Sequence, residues 1–399
     1  MIYLLYPTHQ PVSSALSPYR QLLHTINKAF ANILERGYIM QKETNRTDEF
    51  FLGAVTHSGF TTSFKSVIES EGYFTYILKG GAGTGKSSLM KRIEKELPEG
   101  DRTLYHCSSD PASLDAVVLD DYKVIVVDGT APHTFDPDIP AIKQVIVNLG
   151  DFWDEGKLIS HKDEIIAAMA LNKSYLARSG RYVCALSDIC FDTYSLGCEA
   201  LDIHSIKELA SRIGKRLITG RGSGSGKISE RQLSAVTMDG FKTYSKTLFD
   251  RSRVCLFNDD CFAASAMLFD ELAALASSKG YDVILCVSQL LGSDVTEHLI
   301  IPELDTAFVS LNKLGDIERT GRAVNLTKYY DPELMTLKAP RLKLNRTAAR
   351  TLMDEAAKTL ALAKAAHDDI EKYYIAAMDF AKLDKSASKL IAKIKKRKV

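Results

Sequence analysis

The sequence predicts an α/β fold made of two repeated halves with mostly parallel sheets, and three observations point to it. The block LGAVTHSGF at 52–60 recurs as LSAVTMDGF at 233–241, with six of nine positions identical. VNLGDFWD at 147–154 recurs in the same order as VNLTKYYD at 324–331. In the first half, short apolar runs also alternate with helical patterns, which favours parallel strands joined by right-handed crossovers.

The strands of the first half are predicted from four apolar runs, EFFLGAV, YFTYILKG, TLYHCSS and KVIVVDGT. The last of these, at 123–130, is a continuous β-branched run that is typical of a strand buried on both faces. From 157 to 213 the pattern becomes helical, so the final strands of the sheet cannot be placed. Either the sheet is small, or KRLITG at 215–220 supplies a late strand.

A glycine-rich loop follows the strand YFTYILKG and opens a helix. The stretch YILKGGAGTGKSSLMKRI at 76–93 matches the Walker A pattern G-x-x-x-x-G-K-[ST] without a mismatch. Glycines let backbone N–H groups turn toward phosphate oxygens, and the helix N-terminus adds partial positive charge. We therefore expect a nucleotide triphosphate, ATP, to bind here. The predicted nucleotide-binding residues are Gly80, Gly81, Ala82, Gly83, Thr84, Gly85, Lys86, Ser87 and Ser88.

Two further features predict where Mg²⁺ binds. We expect Lys86 to reach the β- and γ-phosphates from an exposed loop rim, and the hydroxyl of Ser87 to bind Mg²⁺. Asp128 ends the strand KVIVVDGT and is predicted to hold Mg²⁺ through water. Gly129 follows it at the position where many motor-type ATPases carry a water-activating glutamate, which disfavours that class.

Other polar side chains follow strands at the same predicted sheet edge. In an open α/β sheet the ligand lies at the carboxyl ends of the strands. His106, Asp110 and His133 are therefore predicted to act with Lys86 and Asp128 as catalytic residues, and a polar residue within 106–115 is expected to position water. Two alternatives stay open: ordinary turn residues, or a zinc site with the cysteine after His106, whose spacing fits no standard ligand set.

The second half keeps the strand and helix patterns but not the loop. Aligning CLFNDDCFAASAML with ILKGGAGTGKSSLM removes every loop glycine and places Ala264 at the position of Lys86. Asp259 and Asp260 would add negative charge where phosphates bind. We therefore predict a degenerate P-loop-like pseudo-domain and one nucleotide per chain. A glycine-rich stretch at 219–229 lacks the first motif glycine and the Mg²⁺-binding hydroxyl, and is interpreted as a linker.

These features predict tandem duplicated P-loop NTPase-like domains with helical extensions. For the first segment, two alternatives stay open: translation that starts at Met40, or a poorly ordered arm. The predicted boundaries are 1–45 for an N-terminal extension, 46–218 for an active P-loop domain with a helical extension, 219–229 for the Gly/Ser linker, 230–340 for the pseudo-domain, and 341–399 for a C-terminal helical region with a basic tail.

Composition limits the cellular context. The chain has 399 residues, 45% of them apolar, and a net charge of +1. We therefore expect neither a membrane nor nucleic acid as a partner, although contact of the basic tail with nucleic acid is an alternative. The seven cysteines form no C-x-x-C pair, which favours free thiols in a reducing compartment. No apolar run is long enough to span a membrane and no signal peptide is evident, so a cytoplasmic location is predicted.

Several motifs together resemble a family of bacterial tandem P-loop ATPases, mostly of Firmicute type and some labelled nucleotide kinases. They are FFLGAVT, ILKGGAGTGKSSLMKRI, HCSSDPASLD, VIVVDGTAPHTFDP and VNLGDFWDE. The resemblance is close over 50–160 and weaker over 230–335. It implies two P-loop domains, ATP binding and a cytosolic location. The family's second copy also carries a phosphate loop, so this chain departs from the family there.

The leading functional hypothesis is an ATPase with one Mg-ATP site, coupled to a conformational change between the halves. The first alternative is a kinase for a nucleotide or small molecule, for which Arg178 and Arg181 are the only candidate lid residues. The second is a non-catalytic binding module whose nucleotide state sets its affinity for a protein or small-molecule partner.

Overall fold

The structure, a computed structural model, describes residues 45–56, 59–130, 134–220, 222, 224–318 and 321–398. All but the last residue of the predicted N-terminal extension lies outside the described residues. The first half contains, in order, β1 (Thr47–Phe51), β2 (Gly53–Thr56), β3 (Gly59–Thr62), α1 (Phe64–Ile68), β4 (Phe74–Lys79), α2 (Lys86–Glu96), β5 (Arg102–His106), β6 (Leu114–Leu119), β7 (Val124–Asp128), β8 (Gln144–Asn148), α3 (Glu155–Ser160), α4 (Lys162–Ala200) and α5 (Ile203–Leu217).

The second half repeats this order, with one long helix in place of α3 and α4. Its elements are β9 (Ile228–Arg231), β10 (Ser234–Thr237), β11 (Gly240–Thr243), α6 (Lys246–Phe249), β12 (Arg253–Asn258), α7 (Ala263–Ser278), β13 (Val283–Ser288), β14 (Gly292–Ile301), β15 (Thr306–Leu311), β16 (Val324–Asn325), α8 (Pro332–Ala377) and α9 (Phe380–Lys395).

Twelve of the sixteen described strands form two six-stranded sheets with equivalent strand order, and the antiparallel pairs β2-β3 and β10-β11 stand apart from them. The first runs β1-β5-β6-β7-β4-β8 and the second runs β9-β13-β14-β15-β12-β16. In each sheet one strand, β6 or β14, is antiparallel to both neighbours, and the other pairs are parallel. The prediction of an α/β chain with mostly parallel sheets is confirmed. The sequence analysis did not identify β6 or β14.

The centre of the first sheet follows directly from the sequence pattern. β7 buries Val124 to Val127 completely, as expected for a β-branched strand covered on both faces. Beside it, β4 buries Ile77 and Leu78, and α2 packs on this sheet through Leu89, Met90 and Ile93. Since β4 and β7 are adjacent and parallel, their carboxyl ends lie side by side.

The late strand proposed at 215–220 is wrong. Residues up to Leu217 belong to α5, whose apolar face buries Ile206, Leu209 and Ile213, so the helical periodicity overrides the local strand propensity. The Asp202 side chain caps this helix by accepting a hydrogen bond from the Ser205 amide at 3.1 Å. The last strand of the first sheet is β8 instead.

The long helices α4 and α8 pack against each other in antiparallel orientation. Asn172 donates a hydrogen bond to the carbonyl of Ala363 at 2.7 Å, and toward the other end Asn345 donates to Asp192 at 2.6 Å. The boundary predicted between 340 and 341 therefore falls inside α8, which continues to Ala377. The helical C-terminal region and the second sheet form one continuous unit.

Each half is completed by the last helix of the other half. The backbone of Trp153 bridges Met378, and the backbone of Leu201 bridges Tyr330 in the same antiparallel manner. After these bridges the chain continues into α9, which packs on the first sheet, and into α5, which packs on the second. In the first half, α9 buries Leu390 and other apolar residues against α2, while α5 lies in the same core as α7. We call this arrangement the helix exchange.

Candidate functional site

The glycine-rich loop connects β4 to α2 and spans residues 80–85. Gly83 and Gly85 have φ angles of 69° and 81°, a left-handed conformation that strains other residue types. Thr84 is buried, and its hydroxyl donates to the carbonyl of Gly81 at 2.8 Å. These contacts fix the loop around the N-terminus of α2. Ala82 is half-buried, and the side chain of Ser88 is exposed on α2.

Lys86 lies inside this loop and not at an exposed rim, so that expectation is wrong. Its ammonium group donates to the carbonyl oxygens of Gly80 and Gly81, both at 2.7 Å. It also lies 3.7 Å from the carboxylate of Asp128, and the two side chains are 12% and 17% exposed. The structure therefore brings the predicted lysine and the predicted strand-end aspartate together in a partly desolvated site.

The two residues predicted as Mg²⁺ ligands are held by contacts of their own. The Asp128 carboxylate accepts hydrogen bonds from the amide of Thr130 at 2.9 Å and from its hydroxyl at 2.6 Å. The hydroxyl of Ser87 accepts a hydrogen bond from the amide of Leu114 at 3.0 Å. Both are oxygen donors of the kind that Mg²⁺ prefers.

A second carboxylate, which the sequence analysis did not single out, lies next to Asp128. Ala116 on β6 pairs with Val127 on β7, and Asp115 and Asp128 are the next residues beyond that pair. Asp115 is the extra residue of a β-bulge in the pairing of β5 with β6. It is buried, and burial, followed by the charge of Asp128, raises its pKa to about 8.

The other predicted catalytic residues have different surroundings. His106 ends β5, two strands from β7, and its ring contacts the Pro111 carbonyl at 2.9 Å and the Glu49 carboxylate at 3.1 Å. The ring also stacks on Tyr244 of the second half, at 4.3 Å between ring centroids. The first two contacts lie within the first half and the stacking joins it to the second half, so we leave His106 out of the proposed mechanism. His133 lies outside the described residues.

Asp110 occupies the turn after β5. Its carboxylate accepts hydrogen bonds from the amide of Ala112 at 3.2 Å and from the hydroxyl of Ser113 at 2.8 Å. It also lies 3.7 Å from the ammonium group of Lys364 on α8. The sequence analysis left open the alternative that Asp110 shapes a turn, and these contacts fit that alternative. Asp110 is therefore also left out of the proposed mechanism.

The C-terminal part of α8 covers the glycine-rich loop. The amide of Gly83 donates to the carboxylate of Glu371 at 3.2 Å. The rings of Trp153 and Tyr374, whose centroids are 5.3 Å apart, lie over Gly81. The indole N–H of Trp153 is buried and has no hydrogen-bond partner among the described residues. We call Glu371, Tyr374 and Trp153 the loop cover.

In the second half a shorter loop, 259–262, replaces the glycine-rich loop. Phe257 pairs with Ser310 as Leu78 pairs with Asp128, so Ser310 is the structural counterpart of Asp128. This pairing matches β12 to β4 with a shift of one residue from the match that the sequence alignment gives. No glycine occupies the shorter loop, as predicted.

The negative charges of this loop have partners. The buried carboxylate of Asp259 accepts hydrogen bonds from the amides of Cys261 at 3.1 Å and Ser265 at 2.8 Å, and from the hydroxyl of Tyr330 at 2.7 Å. Asp260 forms ion pairs with Lys313 and, at 3.8 Å, with Arg346. The carboxylate of Asp259 therefore satisfies amides that in a phosphate-binding loop would face a ligand.

Glu297 is the second-half counterpart of Asp115, since it is the extra residue of the equivalent bulge between β13 and β14. Burial raises its pKa to about 7 from 4.5, and one carboxylate oxygen has no hydrogen-bond partner among the described residues. Because the folded-state pKa is the higher one, Glu297 costs stability progressively as the pH rises from about 4.5 to about 7. The full cost, on the order of 3 kcal/mol, applies above that range.

We expect Glu297→Gln to flatten this pH dependence. The variant should gain stability at pH 8 and change little at pH 4, where the wild-type carboxyl is already neutral in both states. Urea unfolding at both pH values measures the difference, and Glu230→Gln, an exposed position on β9, is the control. An equal gain at pH 4 and pH 8 would contradict the assignment.

Comparison of the chain with protein-family models, curated proteins and solved structures finds no match. The resemblance to tandem P-loop ATPases therefore stays a prediction. Among the described residues, no helix combines the length and the apolar character needed to cross a membrane.

Proposed function

We propose that the first half binds Mg-ATP at residues 80–88 and hydrolyses it, and that the second half binds no nucleotide. The observation that carries this proposal is the position of Lys86 within a glycine-rich loop, 3.7 Å from the strand-end carboxylate of Asp128. A cation, inward-facing amides and an acid at a strand's carboxyl end are the parts that phosphoryl-transfer sites of this kind use.

The residues present fit a phosphate and a magnesium ion. The amide of Gly83 already donates to a carboxylate oxygen, so it is directed at an anion. The hydroxyl of Ser87 and the carboxylate of Asp128 would hold Mg²⁺, and Lys86 would turn from its carbonyl partners toward the phosphates. Mg²⁺, when bound, would neutralise negative charge on the phosphate oxygens.

Asp115 is the residue of 106–115 that best suits the role of positioning the attacking water. Asp115 and Asp128 lie next to each other at the end of the pairing between β6 and β7. Asp115 is also buried, so its carboxyl would orient water in a site of low polarity. Burial and the negative charge of Asp128 raise its pKa, and the positive charge of Lys86 lowers it. Asp115 thus lies within electrostatic range of both proposed ligand-binding residues.

The loop cover provides a route for coupling nucleotide binding to movement between the halves. A phosphate on the amide of Gly83 would compete with the carboxylate of Glu371 for the same donor. Glu371 belongs to α8, which packs along α4 and leads into α9. Release of this contact would therefore act on the helix exchange and through it on both halves.

We expect Glu371→Gln to bind ATP more tightly, because the variant removes a competing negative charge from the loop. A charge-assisted hydrogen bond contributes about 1.5 kcal/mol, so apparent affinity should rise about tenfold. Trp153, the only tryptophan in the chain, lies over the loop and provides a fluorescence signal for the titration. Asp369→Asn, an exposed position on the same helix, is the control. Unchanged or weaker binding would contradict the competition.

One assay distinguishes the proposed reaction from its alternatives. The intact chain is incubated with Mg-ATP, and free phosphate, a phosphorylated acceptor and bound nucleotide are measured together. Free phosphate that disappears in Lys86→Ala supports the ATPase. A labelled acceptor would show a kinase, although Arg178 and Arg181 lie exposed on α4, in a continuous helix and not a lid. Bound nucleotide without either product would show a binding module, and absence of binding would overturn the proposal.

A further inference from the structure

The second half contains a cavity of about 130 Å³ beside the loop 259–262, where the first half has its glycine-rich loop. One wall comes from the loop itself, and another comes from Met335, Leu342 and Ala349 on α8. The hydroxyl-bearing side chains of Thr193 and Tyr330 also contribute to the lining. The cavity therefore lies where α4, α8 and the second sheet meet.

The cavity has an apolar interior and a charged mouth. Ala349 and Tyr330 are buried in its floor. At the mouth, the side chains of Lys313 and Arg346 are 55% and 38% exposed. Apolar walls with a few convergent polar groups are the usual composition of a small-molecule site.

The charges at the mouth favour an anion. Lys313 and Arg346 both form ion pairs with Asp260, while the other carboxylate of the lining, Asp259, is buried and already accepts hydrogen bonds from two loop amides and the Tyr330 hydroxyl. A guanidinium group can bind a second carboxylate through paired N–H donors. A nucleotide does not fit, because the carboxylate of Asp259 already occupies the loop amides.

We propose that this cavity binds a small monocarboxylate with a compact apolar body, independently of the nucleotide site. A dry apolar cavity of about 150 Å³ accommodates benzene, so the body is limited to roughly that size. Its carboxylate contacts Arg346 and Lys313, and its body packs against Met335, Leu342 and Ala349. Such a ligand contacts both α8 and the loop 259–262, at the position equivalent to the first-half loop.

Isothermal titration calorimetry of the intact chain with benzoate and with 4-methylpentanoate tests this site. We expect saturable binding of at least one of them, with one site per chain, and weaker binding of the neutral analogue benzamide. Arg346→Gln should weaken binding about tenfold, as expected for loss of a charge-assisted hydrogen bond. Lys343→Gln, an exposed position on the same helix, and Lys86→Ala should both bind normally.

A second variant tests the apolar interior. Ala349→Leu places three extra carbons in the floor and should abolish binding, and circular dichroism shows whether the variant folds. If it does not fold, the comparison of Arg346→Gln with Lys343→Gln decides. Absence of saturable binding by both carboxylates, equal affinity for benzamide, or full affinity in Arg346→Gln would overturn the proposal.

Discussion

Replacing Lys86 with alanine should weaken ATP binding by about a hundredfold and abolish turnover. Hydrogen bonds to charged groups contribute about 1.5–3 kcal/mol each, and loss of roughly 3 kcal/mol corresponds to that factor. The only ammonium group that contacts Asp128 among the described residues is that of Lys86. Titration calorimetry with Mg-ATP measures the affinity, and Lys91→Ala, exposed on the same helix, is the matched control.

The same substitution should also lower stability. Lys86 is largely buried and satisfies two backbone carbonyls, and its charge offsets that of Asp128. We expect a loss of about 1–2 kcal/mol in the free energy of unfolding. Nucleotide binding is therefore measured at a temperature where circular dichroism shows the variant folded. Parental ATP affinity in the folded variant would show that residues 80–88 are not the nucleotide site.

Asp115→Asn should lower kcat by about a hundredfold, the lower limit for loss of a positioned acid–base group, while ATP affinity changes little. The amide has nearly the shape of the carboxyl and keeps a hydrogen-bonding oxygen, so the bulge of β6 is expected to persist. The separation of kcat from affinity distinguishes a role in water positioning from a structural role, which would affect both.

Single-turnover phosphate release and equilibrium binding provide the two measurements for Asp115. Asp163→Asn makes the same chemical change at an exposed position on α4 and should leave both unchanged. A parental kcat in Asp115→Asn would remove the residue from the mechanism. A loss confined to affinity would place it among the groups that bind Mg²⁺ or phosphate.

The features that could be predicted from the sequence are those encoded by neighbouring residues. The glycines, Lys86 and Ser87 lie within one short segment, so a motif identifies them, and Asp128 follows from the apolar strand that it ends. The internal repeat likewise predicted two sheets, because two blocks in each half kept their order.

The features that were missed depend on pairing across the chain. β6 lies between β5 and β7, so His106 reaches the expected edge of the sheet but stands two strands away from Asp128. Asp115 was not singled out because an acid within the apolar run SLDAVVL weakens a strand pattern. The contact of Glu371 with Gly83 joins residues 288 positions apart. Helical periodicity predicts that α8 and α9 bury a face, but not which half covers it.

The helix exchange has a consequence for how the protein is made. The core around α2 includes Leu383, Leu390 and Ile394 of α9, which the ribosome adds only after the whole second sheet. The first half therefore emerges with an apolar surface that stays uncovered while the second half is translated, a stage at which aggregation competes with folding. Two separate chains could exchange the same helices. The arrangement therefore also resembles a domain-swapped homodimer whose two subunits are joined in one polypeptide.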